Sequence, residues 1–254
     1  MPHPSNLLSS MSTDIPGGIT KEQAEKELDT IRGEIAELQE VLYASASNSL
    51  LVIFQGLDGS GKDSTIKSVF AGVDPAGLRV VSFKKPTPEE LAHDFLWRIH
   101  QEAPRKRYIT VFNRSHYEDA VLPIALNGKS MSDIAGRIQA INSFEQLLAT
   151  EGRTTIVKIF LHVSKAYQLD RMEKRQEDPT KRWKYDPGDL GQIDIRDRFL
   201  EAWDSIIPAT EETAPWHIIA GDHKWYKRYR TAVLVRDALR SMNLSFPDYN
   251  TSNL

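Results

Sequence analysis

Residues 49–65 read SLLVIFQGLDGSGKDST. The apolar run SLLVIFQG, ended by glycine, is the pattern of a strand buried on both faces of a parallel sheet. Gly56 through Lys62 nearly complete the phosphate-binding pattern G-x-x-x-x-G-K-[ST]. Beyond Gly61, helical spacing resumes through Ile66, Val69 and Phe70, so the motif sits between a buried strand and a helix, the context a phosphate loop requires. In such a loop the stretch Gly59, Ser60, Gly61, Lys62 and Asp63 wraps phosphate: glycines let backbone N–H groups converge on the oxygens, and the helix presents its positive end. Lys62 then reaches the transferring phosphate. The position after that lysine departs from the pattern, with Asp63 where Ser or Thr would ligate a nucleotide-bound Mg²⁺. Asp63 is favoured at a helix start by the dipole alone. Asp58, at the apex of the loop, has no such reason to be there, and a carboxylate in a phosphate cradle repels the ligand unless a metal stands between them. The metal is therefore assigned to Asp58.

Working outward, Thr20 with Gln23 spells a capping box, and Ala24, Leu28, Ile31, Ile35, Leu38 and Leu42 recur at helical spacing. Strands are expected at 78–83 (LRVVSF), 108–113 (YITVFN), 154–163 (TTIVKIFLHV) and 216–222 (WHIIAGD). Helices are expected from Thr87, from about Ser132 to Ala149, from the Ser164 cap, and after the last strand. Repeated βα units imply a mostly parallel sheet with helices on both faces and a ligand site at the carboxyl ends of the strands. The chain of 254 residues, 40% of them hydrophobic, has material for one such domain. Residues 1–19, rich in Ser, Pro and Gly, are expected to form a flexible arm, leaving 20–254 as the single domain.

Composition narrows the function. A net charge of -3 gives no global basic field, so a nucleic-acid partner is not expected. The absence of cysteine excludes disulfides, thiolate catalysis and cysteine-based zinc sites, and suits a cytoplasmic location. The longest apolar stretch, near AVLPIAL at 120–126, is far short of the roughly 20 residues that span a bilayer, so no membrane partner is expected.

Two further stretches carry chemistry. VFNRSHYEDAV (111–121) starts at the end of a buried strand, on the same sheet edge as the loop. There Arg114 can neutralise charge on a transferred phosphoryl group, and Glu118 with Asp119 can hold a metal or orient an acceptor. The plain alternative is an acidic helix start with an incidental ion pair. His116, His93 and His100, lacking paired spacing, read as hydrogen-bonding residues. DRMEKRQEDPTKRWKYDPGD (170–189) puts Arg171 and Arg175 on one helical face, with Lys181, Arg182 and Lys184 after them. It reads as a lid over about 165–190 that excludes water from the reaction, against the alternative of a solvated, salt-bridged helix.

Together GLDGSGKDSTIK (56–67), SFKKPTPEELAHDFLWRIH (82–100), FNRSHYED (112–119), DPTKRWKYDPGDL (178–190) and APWHIIAGDHKWYKR (214–228) resemble the polyphosphate kinase 2 family over residues 20–250. The resemblance implies a P-loop kinase-like three-layer α/β sandwich with a helical lid. It implies a reversible, Mg²⁺-dependent transfer, with Mn²⁺ as a substitute, of the terminal phosphate of inorganic polyphosphate to nucleotides. Lys62 and Lys67 would meet phosphates, Lys84 and Lys85 would continue a basic track, and Arg171 and Arg175 would belong to the lid. Asn113, Arg114 and Glu118 would face the nucleotide. The family tolerates residues other than Ser or Thr after the lysine and implicates the aspartate at Asp58 in metal binding. Many relatives carry Asp where this chain has Asn113, so Glu118 or Asp119 would take over that carboxylate, and Asp119 is assigned as the second metal contact. The FNRSHYED spelling looks most like the branch acting on AMP and ADP, with GMP and GDP left open. A homo-oligomer is expected. An ATP-dependent nucleoside-monophosphate kinase and a non-catalytic P-loop binding module are the alternatives.

Overall fold

The computed structural model describes residues 7–180 and 193–248. In chain order these form α1 (Leu7–Ser10), α2 (Lys21–Ser45), β1 (Ser49–Gln55), α3 (Lys62–Val69), β2 (Leu78–Ser82), α4 (Pro88–Leu91), α5 (Trp97–His100) and β3 (Ile109–Asn113). There follow α6 (Glu118–Asn127), α7 (Ala135–Thr150), β4 (Thr154–His162), α8 (Lys165–Glu177), α9 (Arg196–Ala209), β5 (Trp216–Ala220) and α10 (Lys224–Ser241). The sheet is wholly parallel, in the order β2-β3-β1-β4-β5. Strands β2 and β3 lie on one side of β1 and β4 and β5 on the other, so the winding reverses at β1 and a crevice opens at its carboxyl end.

Alternate residues of β1 feed two cores. Leu50, Val52 and Phe54 pack with α2, α3 and α10 through Ile35, Val69 and Val235. Leu51 and Ile53 face α6, α7 and α9 through Val121, Phe144 and Trp203. The result is a three-layer α/β sandwich. Every residue of β1 is buried, whereas β2, at the sheet edge, leaves Val80 49% exposed. The capping box at Thr20 and Gln23 forms as the sequence predicts. Within the α2 stripe Gln39 is buried, while Leu38 is only partly covered. The helix opened by Thr87 is a single turn, closed by a reciprocal Thr87–Glu90 capping box.

The N-terminal expectation needs correction for residues 7–15, which lie docked on the body. Leu8 is fully buried and its N–H donates to Asp204 Oδ1 at 2.8 Å. Thr13 Oγ1 donates to Asp222 Oδ2 at 2.8 Å. One leucine with a core slot, plus two buried-side carboxylates as acceptors, outweighs a composition that favours disorder. Residues 1–6 lie outside the described residues. So do 181–192, and with them Lys181, Arg182, Lys184 and the second half of the expected lid. Among the described residues, no helix is long and apolar enough to cross a membrane.

Candidate active site

At the carboxyl end of β1, Gly56 turns the chain with φ 140°, and a Cβ there would meet the Leu161 carbonyl oxygen at 2.6 Å. Only glycine allows the loop to leave β1 so close to β4. The Ser60 hydroxyl is buried with no hydrogen-bond partner among the described residues. A buried polar atom of this kind is uncommon and needs accounting for. Lys62 opens α3 and is 7% exposed, and its Nζ donates to the Gly56 carbonyl at 2.7 Å and the Leu57 carbonyl at 3.3 Å. Burial, reinforced by the Arg114 guanidinium, lowers its pKa to about 8, against the pull of Asp58, Glu118 and Asp63.

Strand β3 delivers the second set. Phe54 pairs with Asn113 across the ladder, so the residues after β3 emerge beside the loop. Arg114 takes a left-handed backbone, φ 63°, with its N–H donating to the Phe54 carbonyl at 3.0 Å. A non-glycine residue is held in that conformation only where its surroundings fix it. Here the turn brings the guanidinium onto the Asp58 carboxylate and within 3.5 Å of Glu118 Oε2. Burial raises the pKa of Glu118, opposed chiefly by Arg114 and then Lys62. With its side-chain amide assigned so that the nitrogen faces Glu118, Gln55 at the end of β1 donates to Glu118 Oε1 at 3.0 Å and accepts from Ser115 Oγ at 3.1 Å, fixing the carboxylate.

The other expected residues separate. Asp63 is exposed and accepts from Asn113 Nδ2 at 2.7 Å, so the departure from the loop pattern is tied to the strand end that lacks a carboxylate. Asp119 turns to Arg98, whose Nη2 lies 3.3 Å from its Oδ2, and burial raises its pKa. It does not join Asp58 and Glu118. Lys67, Lys84 and Lys85 are exposed. Arg171 rises from α8 beside the loop: a Cβ added at Gly59 would stand 3.8 Å from Arg171 Cβ. Arg175 lies one turn further along α8.

Three residues escaped the sequence reading. Arg98 is buried and joins Asp119 to the Lys84 carbonyl, 2.9 Å away. Gln55 reads as the polar end of an apolar strand. Lys227 is fully buried beneath the loop, with Nζ 2.6 Å from the Ser60 carbonyl. It lies in the quoted stretch at 214–228, but nothing in the helical spacing of α10 separates it from the basic residues around it.

A parallel α/β sandwich with a lysine-bearing glycine loop, an arginine and two carboxylates at its crevice defines a P-loop phosphotransferase architecture. The polyphosphate kinase 2 (PPK2) family matches residues 18–247. The AMP/ADP-polyphosphate phosphotransferase of Meiothermus ruber is 41% identical over 92% of this chain and 87% of its own. The ADP-polyphosphate phosphotransferase of Rhodopseudomonas palustris is 34% identical over 90% and 83%. The crystal structure of polyphosphate kinase 2 from Arthrobacter aurescens TC1 superposes with a TM-score of 0.92 at 36% identity, covering 96% of this chain and 89% of that one. The chain belongs to the polyphosphate kinase 2 family.

Proposed function

We propose that this protein transfers the terminal phosphate of inorganic polyphosphate to AMP and ADP, reversibly and without a covalent intermediate. The observation that carries the reading is the meeting of Lys62, Arg114, Asp58 and Glu118 at one strand-end crevice. Among the described residues no side chain there is placed as an activated nucleophile, and phosphoryl transfer asks mainly for positioning and charge neutralisation. Lys62 and Arg114 meet the charge on the transferring group. Glu118, held by Gln55, orients the acceptor.

The same residues fit a divalent cation. Among the described residues no three His, Cys, Asp or Glu side chains cluster into an all-protein metal site. Mg²⁺ needs none, since one or two carboxylates suffice when substrate phosphates and water complete the shell. Asp58 and Glu118 would hold it, and bound there it would neutralise phosphate charge. Mn²⁺ is expected to substitute. Asp119, assigned to this task in sequence, is engaged instead by Arg98, which ties the start of α6 to the Lys84 carbonyl. Arg171 and the rest of α8 serve as a lid. The reading extends to a cytoplasmic homo-oligomer with neither nucleic acid nor membrane as partner, in keeping with the net charge of -3.

The test is incubation with polyphosphate, Mg²⁺ and each of AMP, ADP, GMP and GDP, beside ATP with AMP alone. Polyphosphate with AMP should yield ADP and then ATP, with activity falling as salt screens the cationic crevice. Ready transfer from ATP and none from polyphosphate would replace this reading with a nucleoside-monophosphate kinase. Binding without turnover would leave a P-loop binding module.

A further inference from the structure

We propose that Lys227 is a positioning residue that locks the phosphate loop to the lid helix through Tyr167; the inference rests on the phosphotransfer reading above. Its ammonium is fully buried, and its three donors are all used. They reach the Ser60 carbonyl at 2.6 Å, the Gly221 carbonyl at 2.8 Å and the Tyr167 hydroxyl at 3.1 Å. Each acceptor belongs to a different part of the site: the loop, the carboxyl end of β5, and the first turn of α8. No carboxylate among the described residues pairs with this amine. A buried cation held only by neutral acceptors is costly, and a hydrophobic side chain of similar length would fill the space without that cost.

The loop is shaped around the amine. Gly61 has φ 92°, and a Cβ there would stand 3.0 Å from Lys227 Nζ. In a planar trans peptide the carbonyl and the next N–H point in opposite directions. Drawing the Ser60 carbonyl inward onto Lys227 therefore aims the Gly61 N–H outward, toward the phosphate side of the loop. The other arm of the contact acts on the lid. Tyr167 and Arg171 are four residues apart on α8 and share a face, so fixing the tyrosine fixes the helix turn whose Arg171 Cβ stands beside Gly59. Burial, then the positive charges of Arg171, Lys224 and Arg228, lower the pKa of Lys227 to about 7, with Asp222 opposing. Phosphate at the crevice favours the charged, three-donor form.

The experiment is a double-mutant cycle on the full-length protein, with Lys227→Met, Tyr167→Phe and the pair assayed with polyphosphate, AMP and Mg²⁺, beside thermal unfolding. Tyr167→Phe, which removes one hydroxyl, should lower kcat about 10-fold with the KM for AMP and the Tm nearly unchanged, and Lys227→Met should lower kcat about 100-fold. In the Lys227→Met background Tyr167→Phe should have no further effect, because the two act through one contact. Tyr167→Phe should also raise the share of polyphosphate lost to water, and this readout stands even if Lys227→Met does not fold. Additive losses in an active wild type, or a Tyr167→Phe variant with wild-type kcat and hydrolysis, overturn the inference alone. A wild type that transfers nothing from polyphosphate overturns the function and this inference with it.

Discussion

Lys158 and Lys227 are both fully buried amines, and the two regions satisfy them in different ways. Lys158 projects from the middle of β4 into the layer beneath α7. Its Nζ donates to Glu145 Oε2 at 2.8 Å, to the Tyr117 hydroxyl at 3.2 Å and to the Thr210 carbonyl. Burial lowers its pKa and Glu145 pushes back, so the charge is cancelled inside the protein. Lys227, and Lys62 with it, sit at the strand-end crevice on carbonyl and hydroxyl oxygens. Their pKa values fall to about 7 and about 8. A buried cation with its counter-ion in place belongs to the fold, whereas one resting on neutral oxygens beside a ligand crevice leaves its charge for an anion to balance.

The largest expected effect tests the first half of that contrast. Glu145→Ala leaves Lys158 buried and uncompensated, which should cost about 3–5 kcal/mol of stability. Urea unfolding reads this directly. Lys62→Met, at the crevice, should leave stability close to wild type, and equal losses in the two variants would erase the distinction.

Next in size is the reverse test, on catalysis. Lys62→Ala should lower kcat by about 100-fold or more, because its charge counts most in the transition state. Asp58→Asn should abolish turnover while the melting temperature stays near that of the wild type. A change confined to KM in the first variant, or wild-type turnover in the second, would remove that residue from the mechanism.

The sequence carries the parts of this contrast unevenly. Hydrophobic pattern and glycine placement expose β1, the loop and the α2 stripe, because each is a local signal within a few turns of chain. The Ser164 cap of α8 is legible for the same reason. Lys158 is not, because a lysine inside TTIVKIFLHV looks like noise in an apolar strand until Glu145 arrives from α7. The link from Lys227 to Ser60 spans 167 residues and has no local signature. Helix α9, between the expected lid and β5, goes unread, and it is α9 that supplies the acceptor for Leu8 and so docks the N-terminal segment. Asp58, Arg114 and Glu118 were named from sequence, and the structure groups them. Asp119, adjacent to Glu118, turns to Arg98 instead of Arg114, which residue type alone does not tell.

A smaller effect separates Arg171 and Arg175, the two arginines of α8 assigned to a lid. The Arg171 Cβ stands beside Gly59, and Arg175 lies a turn beyond it. Arg171→Ala should lower transfer about 10-fold and raise hydrolysis of polyphosphate relative to transfer, since an open site admits water. Arg175→Ala should do the same more weakly. Unchanged transfer in both variants would return α8 to an ordinary solvated helix.

The smallest effect is the most direct reading of the contrast, because it counts protons. An ordinary lysine, with a pKa near 10.5, is fully charged at pH 8, but Lys62, lowered to about 8, is charged in about half of the free molecules. A polyphosphate anion beside the amine favours the charged form and raises its pKa, so binding at pH 8 must take up protons. Lys62 contributes about half a proton there and almost none at pH 6, where the free protein already carries the charge. Lys227, with the lower pKa, adds to the uptake in the same direction. Lys158, in the middle of β4 with Glu145 as its counter-ion, is not at the crevice and is not expected to add to the uptake. Calorimetric titration of polyphosphate in buffers of different ionisation enthalpy measures the uptake. The wild type minus Lys62→Met isolates the share of that one amine from protons taken up by the ligand. A difference of zero at pH 8 would mean that Lys62 is fully charged before the anion arrives, and the distinction between the two kinds of buried lysine would then rest on Lys227 alone.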